Sequence, residues 1–297
     1  MPAGDGRAMR LDGGLATELQ QAGVPVTAPW WTTAALANEQ TRRVLRSVHA
    51  DYLRAGAQLT TANTFRCNVR ALLGVGLDRA GFAWMVQAAV GVARSAREEV
   101  GDGRTLIAGS MAPVADCYRP DLVPPNDELR AEHRRLATEL QNAGVDVVLI
   151  ETMNTVREAR IALGQVLAAG GRAWVSFVCA EGGRLLSGEP LADAARAVEA
   201  DGAEAVLVNC TPLPQTEQCL GELAAVCRCP IGAYPNVEHR AATSRNGGPL
   251  PAAVDQHDFA DTLGRWHDEL GATLLGGCCG TRPSHIAALR DRLGDGA

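Results

Sequence analysis

Apolar, β-branched runs of strand length alternate eight times with amphipathic helical stretches along this 297-residue chain. The runs predict strands at Met9–Asp12, Gln58–Asn63, Thr105–Ser110, Asp146–Glu151, Ala173–Cys179, Glu204–Asn209, Ile231–Tyr234 and Ala272–Gly276. Helical periodicity follows at Arg42–Arg54, Arg79–Val100, Glu128–Ala143, Thr155–Ala169, Leu191–Ala200, Gln215–Val226, Asp258–Leu270 and Pro283–Leu293. Several of these stop at glycine, as at Gly101, Gly144 and Gly170, where a left-handed cap ends a helix without steric penalty. Such alternation requires a parallel sheet, because each crossover helix carries the chain back to the same edge. Eight pairs with no break in composition predict a single (β/α)₈ barrel spanning 1–297. The competing arrangement is an open, doubly wound sheet. It is weakened because Gly13-Gly14-Leu15-Ala16-Thr17, after the first strand, lacks the Gly-x-Gly-x-x-Gly of a dinucleotide turn.

Barrels place their chemistry at the C-terminal ends of the strands. Here those ends carry Asp12, Asn63, Ser110, Glu151, Cys179, Asn209-Cys210, Tyr234 and Cys278-Cys279. Two irregular stretches, Met111–Asn126 and Pro235–Pro251, are long enough to cover the mouth these ends would form. Composition excludes several chemistries. All 28 basic residues are arginine, so neither a Schiff-base lysine nor a phosphate-loop lysine is available. A net charge of −6 argues against nucleic acid or an anionic membrane as partner. No apolar run approaches a membrane span, and the first residues lack a signal-peptide core. A cytoplasmic protein is expected, acting on small molecules as a monomer or small homo-oligomer, with its nine cysteines present as thiols or metal ligands.

Three of those thiols stand out. Cys210 follows the sixth strand, and Cys278 and Cys279 follow the eighth, within Gly276-Gly277-Cys278-Cys279-Gly280. They read either as small buried residues or as ligands of one metal. Three thiolates with an open fourth position describe a catalytic zinc site, and thiolates favour zinc over magnesium or calcium. A thiol substrate entering the open position would lose its proton and become a nucleophile. Asp12 and Glu151 would then suit the ammonium group of an amino-acid thiol, with its carboxylate at the backbone N–H groups around Gly13 and Gly14. Sugar hydrolysis by the two carboxylates is a rival, but it leaves the cysteines without a purpose. Cys67, Cys117, Cys179 and Cys219 read as packing residues, and Cys227-Arg228-Cys229 is a weak metal signal.

Taken together, these motifs resemble the homocysteine S-methyltransferase family. The likeness rests on Leu11-Asp12-Gly13-Gly14-Leu15-Ala16-Thr17-Glu18-Leu19, Ile150-Glu151-Thr152, Val208-Asn209-Cys210, Tyr234-Pro235-Asn236 and Gly276-Gly277-Cys278-Cys279-Gly280-Thr281, in the family's order from about Met9 to Leu293. The resemblance implies a (β/α)₈ barrel and zinc held by Cys210, Cys278 and Cys279. It implies homocysteine as methyl acceptor and methionine as product, with Asp12 and Glu151 on the amine and Asn209 orienting the first ligand's loop. The chain is most similar to the compact branch that uses S-methylmethionine or S-adenosylmethionine, rather than members using betaine or a corrinoid-bound methyl. A sulfonium is cationic, so the faces of Trp30, Trp31 or Tyr118 would suit the donor. Departures fall in the mouth loops. Met111-Ala112-Pro113-Val114-Ala115-Asp116 stands where relatives commonly carry a Gly-Pro-Tyr-Gly-like run, and Val237-Glu238-His239 where a small residue and glycine are usual. These changes leave open another donor, or another small thiol or selenol as acceptor.

Overall fold

In the computed structural model, eight parallel strands form one sheet: β1 (Met9–Arg10), β2 (Leu59–Ala62), β3 (Leu106–Met111), β4 (Val147–Met153), β5 (Ala173–Phe177), β6 (Ala205–Pro212), β7 (Ile231–Asn236) and β8 (Leu274–Leu275). The structure describes residues 6–101, 103–238 and 254–294. From β2 to β8 each strand pairs with the next in the chain, and β1 pairs with β8. An open doubly wound sheet would not bring its first and last strands together, so the sheet is a (β/α)₈ barrel. Between β1 and β2 the ladder reduces to one backbone bond, from Gln58 N–H to the Arg10 carbonyl (2.7 Å). Side chains complete this seam. Gln58 Oε1 accepts from the Arg10 N–H (3.0 Å), and the Asp12 carboxylate accepts from Thr61 N–H (2.6 Å) and Thr61 Oγ1 (2.9 Å).

The helices follow the expected pattern. Arg79–Val100, Leu191–Ala200 and Pro283–Leu293 have the expected bounds. Others start earlier where a cap recruits extra residues. Glu39–Arg54 begins three residues ahead because Asn38 and Thr41 form a reciprocal capping box. Gln256–Leu270 begins two ahead because Asp255 accepts from His257 and Asp258 N–H groups. Elements too short to show periodicity were not expected: the 3₁₀ turns Trp31–Leu36 and Pro120–Leu122, the helix Val69–Gly74, and a hairpin pairing Cys179–Ala180 with Arg184–Leu185. The hairpin takes Cys179 out of the fifth strand. Most of the expected loop Pro235–Pro251 lies outside the described residues, and its first two residues continue β7. Among the described residues no helix is long and apolar enough to cross a membrane.

Two layers of apolar side chains hold the barrel. The larger layer joins the outer faces of the strands to the helices. The smaller fills the lumen with Leu11, Leu59, Ala108, Val147, Leu149, Trp174, Ala205, Leu207 and Leu274. Because successive strand residues alternate in facing, the next inward position sits one layer higher. That layer is polar: Thr61 above Leu59, Ser110 above Ala108, Glu151 above Leu149, Ser176 above Trp174 and Asn209 above Leu207. The floor of the mouth is therefore a closed apolar plug, and its walls are polar side chains on rigid strands.

Candidate functional site

Cys210, Cys278 and Cys279 converge at this mouth, their sulfurs all within 4.8 Å of one another. Three local features bring them together. β6 shifts register between Asn209 and Pro212, and Cys210 takes a left-handed φ of 50° there, which turns its side chain relative to regular strand geometry. The Cys278-Cys279 turn is fastened to β7: Cys278 N–H donates to the Pro235 carbonyl (2.9 Å), and Cys279 N–H to Asn236 Oδ1 (3.1 Å). The Cys279 carbonyl accepts from Val237 N–H (2.9 Å). Gly277 N–H donates to the Asp12 carbonyl (3.0 Å), tying the turn to β1 as well. Gly280 turns away at φ 84°, where a side chain would be strained.

The donor set fits a zinc ion. Tetrahedral zinc at about 2.3 Å from each sulfur places its ligands about 3.8 Å apart. The Cys278 and Cys279 sulfurs are 3.8 Å apart, and Cys210 lies 2.9 Å from Cys278. Thiols this close oppose one another's ionisation, so contact with Cys210 and Cys279, reinforced by burial, holds the Cys278 thiol well above the ordinary range. A cation among the three sulfurs reverses that preference.

Two buried carboxyls stand beside the cluster. Glu151 accepts from Ser110 Oγ at Oε1, and from Asn209 Nδ2 (3.4 Å) and the Tyr234 hydroxyl (3.4 Å) at Oε2. Burial, opposed by Ser110 and aggravated by the charge of Asp12, pushes its pKa up to about 7. Burial likewise raises Asp12 to about 6, against the lowering bonds from Thr61. Two desolvated acids, one held back by the other's charge, are groups whose ionisation a nearby cation would favour. Thr152, directly after Glu151, also sits at positive φ (56°), at the register shift of β4. Of the three non-glycine residues with positive φ among those described, Thr152 and Cys210 each adjoin or belong to this site, and Trp31 is the third. Strain of this kind persists only where the surroundings impose it.

Asn209 is fully committed. Its Nδ2 donates to Thr152 Oγ1 (2.7 Å), and its Oδ1 accepts from Thr152 N–H (2.9 Å) and Ser176 Oγ (2.7 Å). It holds the Glu151 strand end against the Cys210 strand end, so its place in the site is structural support rather than an open ligand group. The Gly14 N–H is also engaged, donating to Thr281 Oγ1 (2.9 Å), which removes it as a free donor for a carboxylate. Gly13 and Gly14 instead permit close packing. A Cβ on Gly14 would lie 2.6 Å from the Cys278 carbonyl oxygen, and one on Gly13 2.6 Å from the Tyr52 ring. Gly14→Ala is therefore expected to destabilise the fold by about 1–3 kcal/mol, read as a lower denaturant midpoint, and to weaken metal retention by displacing the Cys278 turn. Trp30, Trp31 and Tyr118 are 36%, 42% and 39% exposed. The Trp31 face is covered by the Arg66 guanidinium, 5.3 Å from the ring centre.

The sequence alone did not single out Ser110, Tyr234, Thr61 or Asn236 as supports of these groups. The available signal was parity: Ser110, Tyr234 and Asn236 occupy inward positions at the same height as Glu151 or just above.

A family model described as homocysteine S-methyltransferase matches residues 9–293. The chain is 33% identical to a homocysteine S-methyltransferase of Escherichia coli, over 95% of this chain and 94% of that one. It is 30% identical to homocysteine S-methyltransferase YbgG of Bacillus subtilis (93% and 91%), and 29% identical to a selenocysteine Se-methyltransferase of Brassica oleracea (95% and 88%). The solved metallated form of the E. coli homocysteine methyltransferase MmuM superposes with a TM-score of 0.84 at 30% identity, covering 96% of each chain.

Proposed function

The chain belongs to the homocysteine S-methyltransferase family, and from that premise we propose that it transfers a methyl group from a sulfonium donor, S-methylmethionine or S-adenosylmethionine, to the thiol of homocysteine, giving methionine. The observation that carries this reading is the convergence of three cysteine sulfurs beside two buried carboxyls at the barrel mouth. Zinc held by Cys210, Cys278 and Cys279 would supply a thiolate at neutral pH, since coordination removes a thiol's proton, while three thiolate ligands leave electron density on sulfur for alkylation.

The remaining work falls to this chain's own side chains. Glu151 and Asp12 receive the acceptor's ammonium, whose charge favours both carboxylates and lowers their raised pKa values. Ser110 and Tyr234 fix the Glu151 carboxylate from one side, and Thr61 fixes Asp12 from the other. The acceptor sulfur, as thiolate, attacks the methyl carbon in line with the donor's carbon–sulfur bond. That bond breaks, its electron pair returns to the donor sulfur, and a neutral thioether leaves; the thiol proton passes to solvent. Charge is neutralised in this step, so the dry apolar floor below the mouth favours it.

A mass-spectrometric assay tests the proposal, with zinc-loaded protein, homocysteine and one donor at a time: S-methylmethionine, S-adenosylmethionine or betaine. Methionine should form from a sulfonium at a rate far above the protein-free control. No product from any donor would refute the reading. The relative named selenocysteine Se-methyltransferase favours one second reading, a selenol acceptor. It predicts a higher kcat/KM with selenocysteine than with homocysteine under the same conditions.

A further inference from the structure

Arg66 occupies an unusual position on the same rim. It follows β2 by four residues and is half-buried, with its guanidinium 5.3 Å from the Trp31 ring centre and 5.4 Å from that of Phe65. Among the described residues it makes no hydrogen bond or ion pair. Stacking on aromatic faces holds a guanidinium in plane but leaves its N–H edge unused. A half-buried cation without an anionic partner is costly, and its fork of donors matches a carboxylate.

The support beneath Arg66 is built rather than incidental. Trp31 holds a φ of 48°, a left-handed conformation that is strained for a bulky residue. The turn around it is fastened by Trp31 N–H to the Thr27 carbonyl (2.7 Å) and by Asn63 Nδ2 to the Thr32 carbonyl (2.8 Å). Asn63 directly follows β2, the strand whose Thr61 holds Asp12. The segment that carries Arg66 thus leaves this strand, and Asn63 on that segment ties it to the Trp31 turn.

We infer that Arg66 binds the α-carboxylate of the methyl donor, so that the enzyme selects sulfonium compounds carrying an amino-acid group. The inference rests on the sulfonium-donor reading above. Depth assigns the carboxylate to the donor rather than the acceptor. Asp12, Glu151 and Cys210 are each less than a tenth exposed, whereas Trp31 beneath Arg66 is 42% exposed. The acceptor sits in the inner shell, and the donor enters above it through the outer one. Arg66 also repels a sulfonium from the Trp31 face, which directs the positive sulfur to the exposed neighbouring ring of Trp30.

Calorimetric binding of S-methylmethionine and of its α-carboxamide, which keeps the sulfonium but lacks the negative charge, tests this on the zinc-loaded protein without turnover. The parent should bind the acid roughly 30-fold more tightly than the amide. Arg66→Ala should bind both alike, at the parent's affinity for the amide, and Arg66→Lys should fall between. In steady state Arg66→Ala should raise the donor KM by a similar factor, with kcat within about threefold and the homocysteine KM unchanged. Equal affinities for acid and amide in the parent, an unchanged acid affinity in Arg66→Ala, or a raised homocysteine KM would each overturn the inference. A parent that binds the acid tightly through Arg66 yet forms no methionine would instead refute the sulfonium-transfer reading alone.

Discussion

Cys278→Ser is expected to abolish methionine formation, with kcat/KM falling by at least about 10³-fold, while the barrel stays folded. Two structural facts set the size of this effect. Cys278 is the middle member of the cluster, in contact with both other sulfurs. Its backbone, not its side chain, carries the fastening of the turn: the N–H donates to Pro235, and the carbonyl accepts from Thr281 N–H (3.1 Å) and Thr281 Oγ1 (2.6 Å). Serine preserves those bonds and nearly the same volume, so the melting temperature without metal should move by no more than about 2 °C. Zinc measured by plasma mass spectrometry should fall from about one per chain to below about a tenth, because a serine hydroxyl does not ionise to replace a soft thiolate. Full zinc occupancy with full turnover in Cys278→Ser would remove the cluster from the chemistry. Lost turnover with retained zinc would place its role in geometry rather than in metal retention.

The elements of this barrel were legible because each declares itself locally. Leu191–Ala200 carries a 3.6-residue apolar period, and Val147-Val148-Leu149-Ile150 is a buried strand bounded by polar residues. The cysteines and the two acids were legible because residue type and strand-end position together restrict their chemistry. The links between them were not legible, since they depend on register between strands far apart in the chain. Asn209 meets Thr152 across 57 residues, and Tyr234 reaches Glu151 across 83. The backbone irregularities at Thr152 and Cys210 leave no mark in composition, because neither residue is a glycine. Asp12 is the sharpest case. Its acidity suggested an ammonium partner, but its bonds to Thr61 show that it also closes the seam of the barrel. On the proposed reading function and closure share one side chain there, so loss of Asp12 should affect both. Glu151 does not share that burden, which makes it the cleaner residue for testing the ammonium receptor.

Glu151→Gln should therefore weaken the acceptor and strengthen the free protein at once. Removing a buried carboxylate from an ammonium costs the charge-assisted part of the contact, and the homocysteine KM should rise roughly 100-fold, with the donor KM little changed. The stability effect has the opposite sign. Burial lifts Glu151 from its ordinary 4.5 to about 7 in the folded protein. A group with a raised folded pKa binds its proton more tightly when folded, so its favourable contribution is complete below about pH 4.5 and disappears as pH climbs through 7. Above pH 7 the unfolded chain ionises freely while the folded one holds a desolvated charge beside Asp12, a penalty of about 3 kcal/mol. Glutamine carries no such penalty and can still accept from Ser110. At pH 8 the free variant should melt about 5 °C above the parent, and near pH 4.5 the two should coincide. Binding follows the same titration: the parent's homocysteine KM should rise as pH falls from 7 towards 5.5, as Glu151 and then Asp12 take up protons, whereas the variant should respond only below about pH 6. A variant less stable than the parent at pH 8 would mean that Glu151 is held ionised by bonds rather than strained by burial. The receptor would then owe its affinity to preorganised hydrogen bonding, not to two acids relieved by a cation.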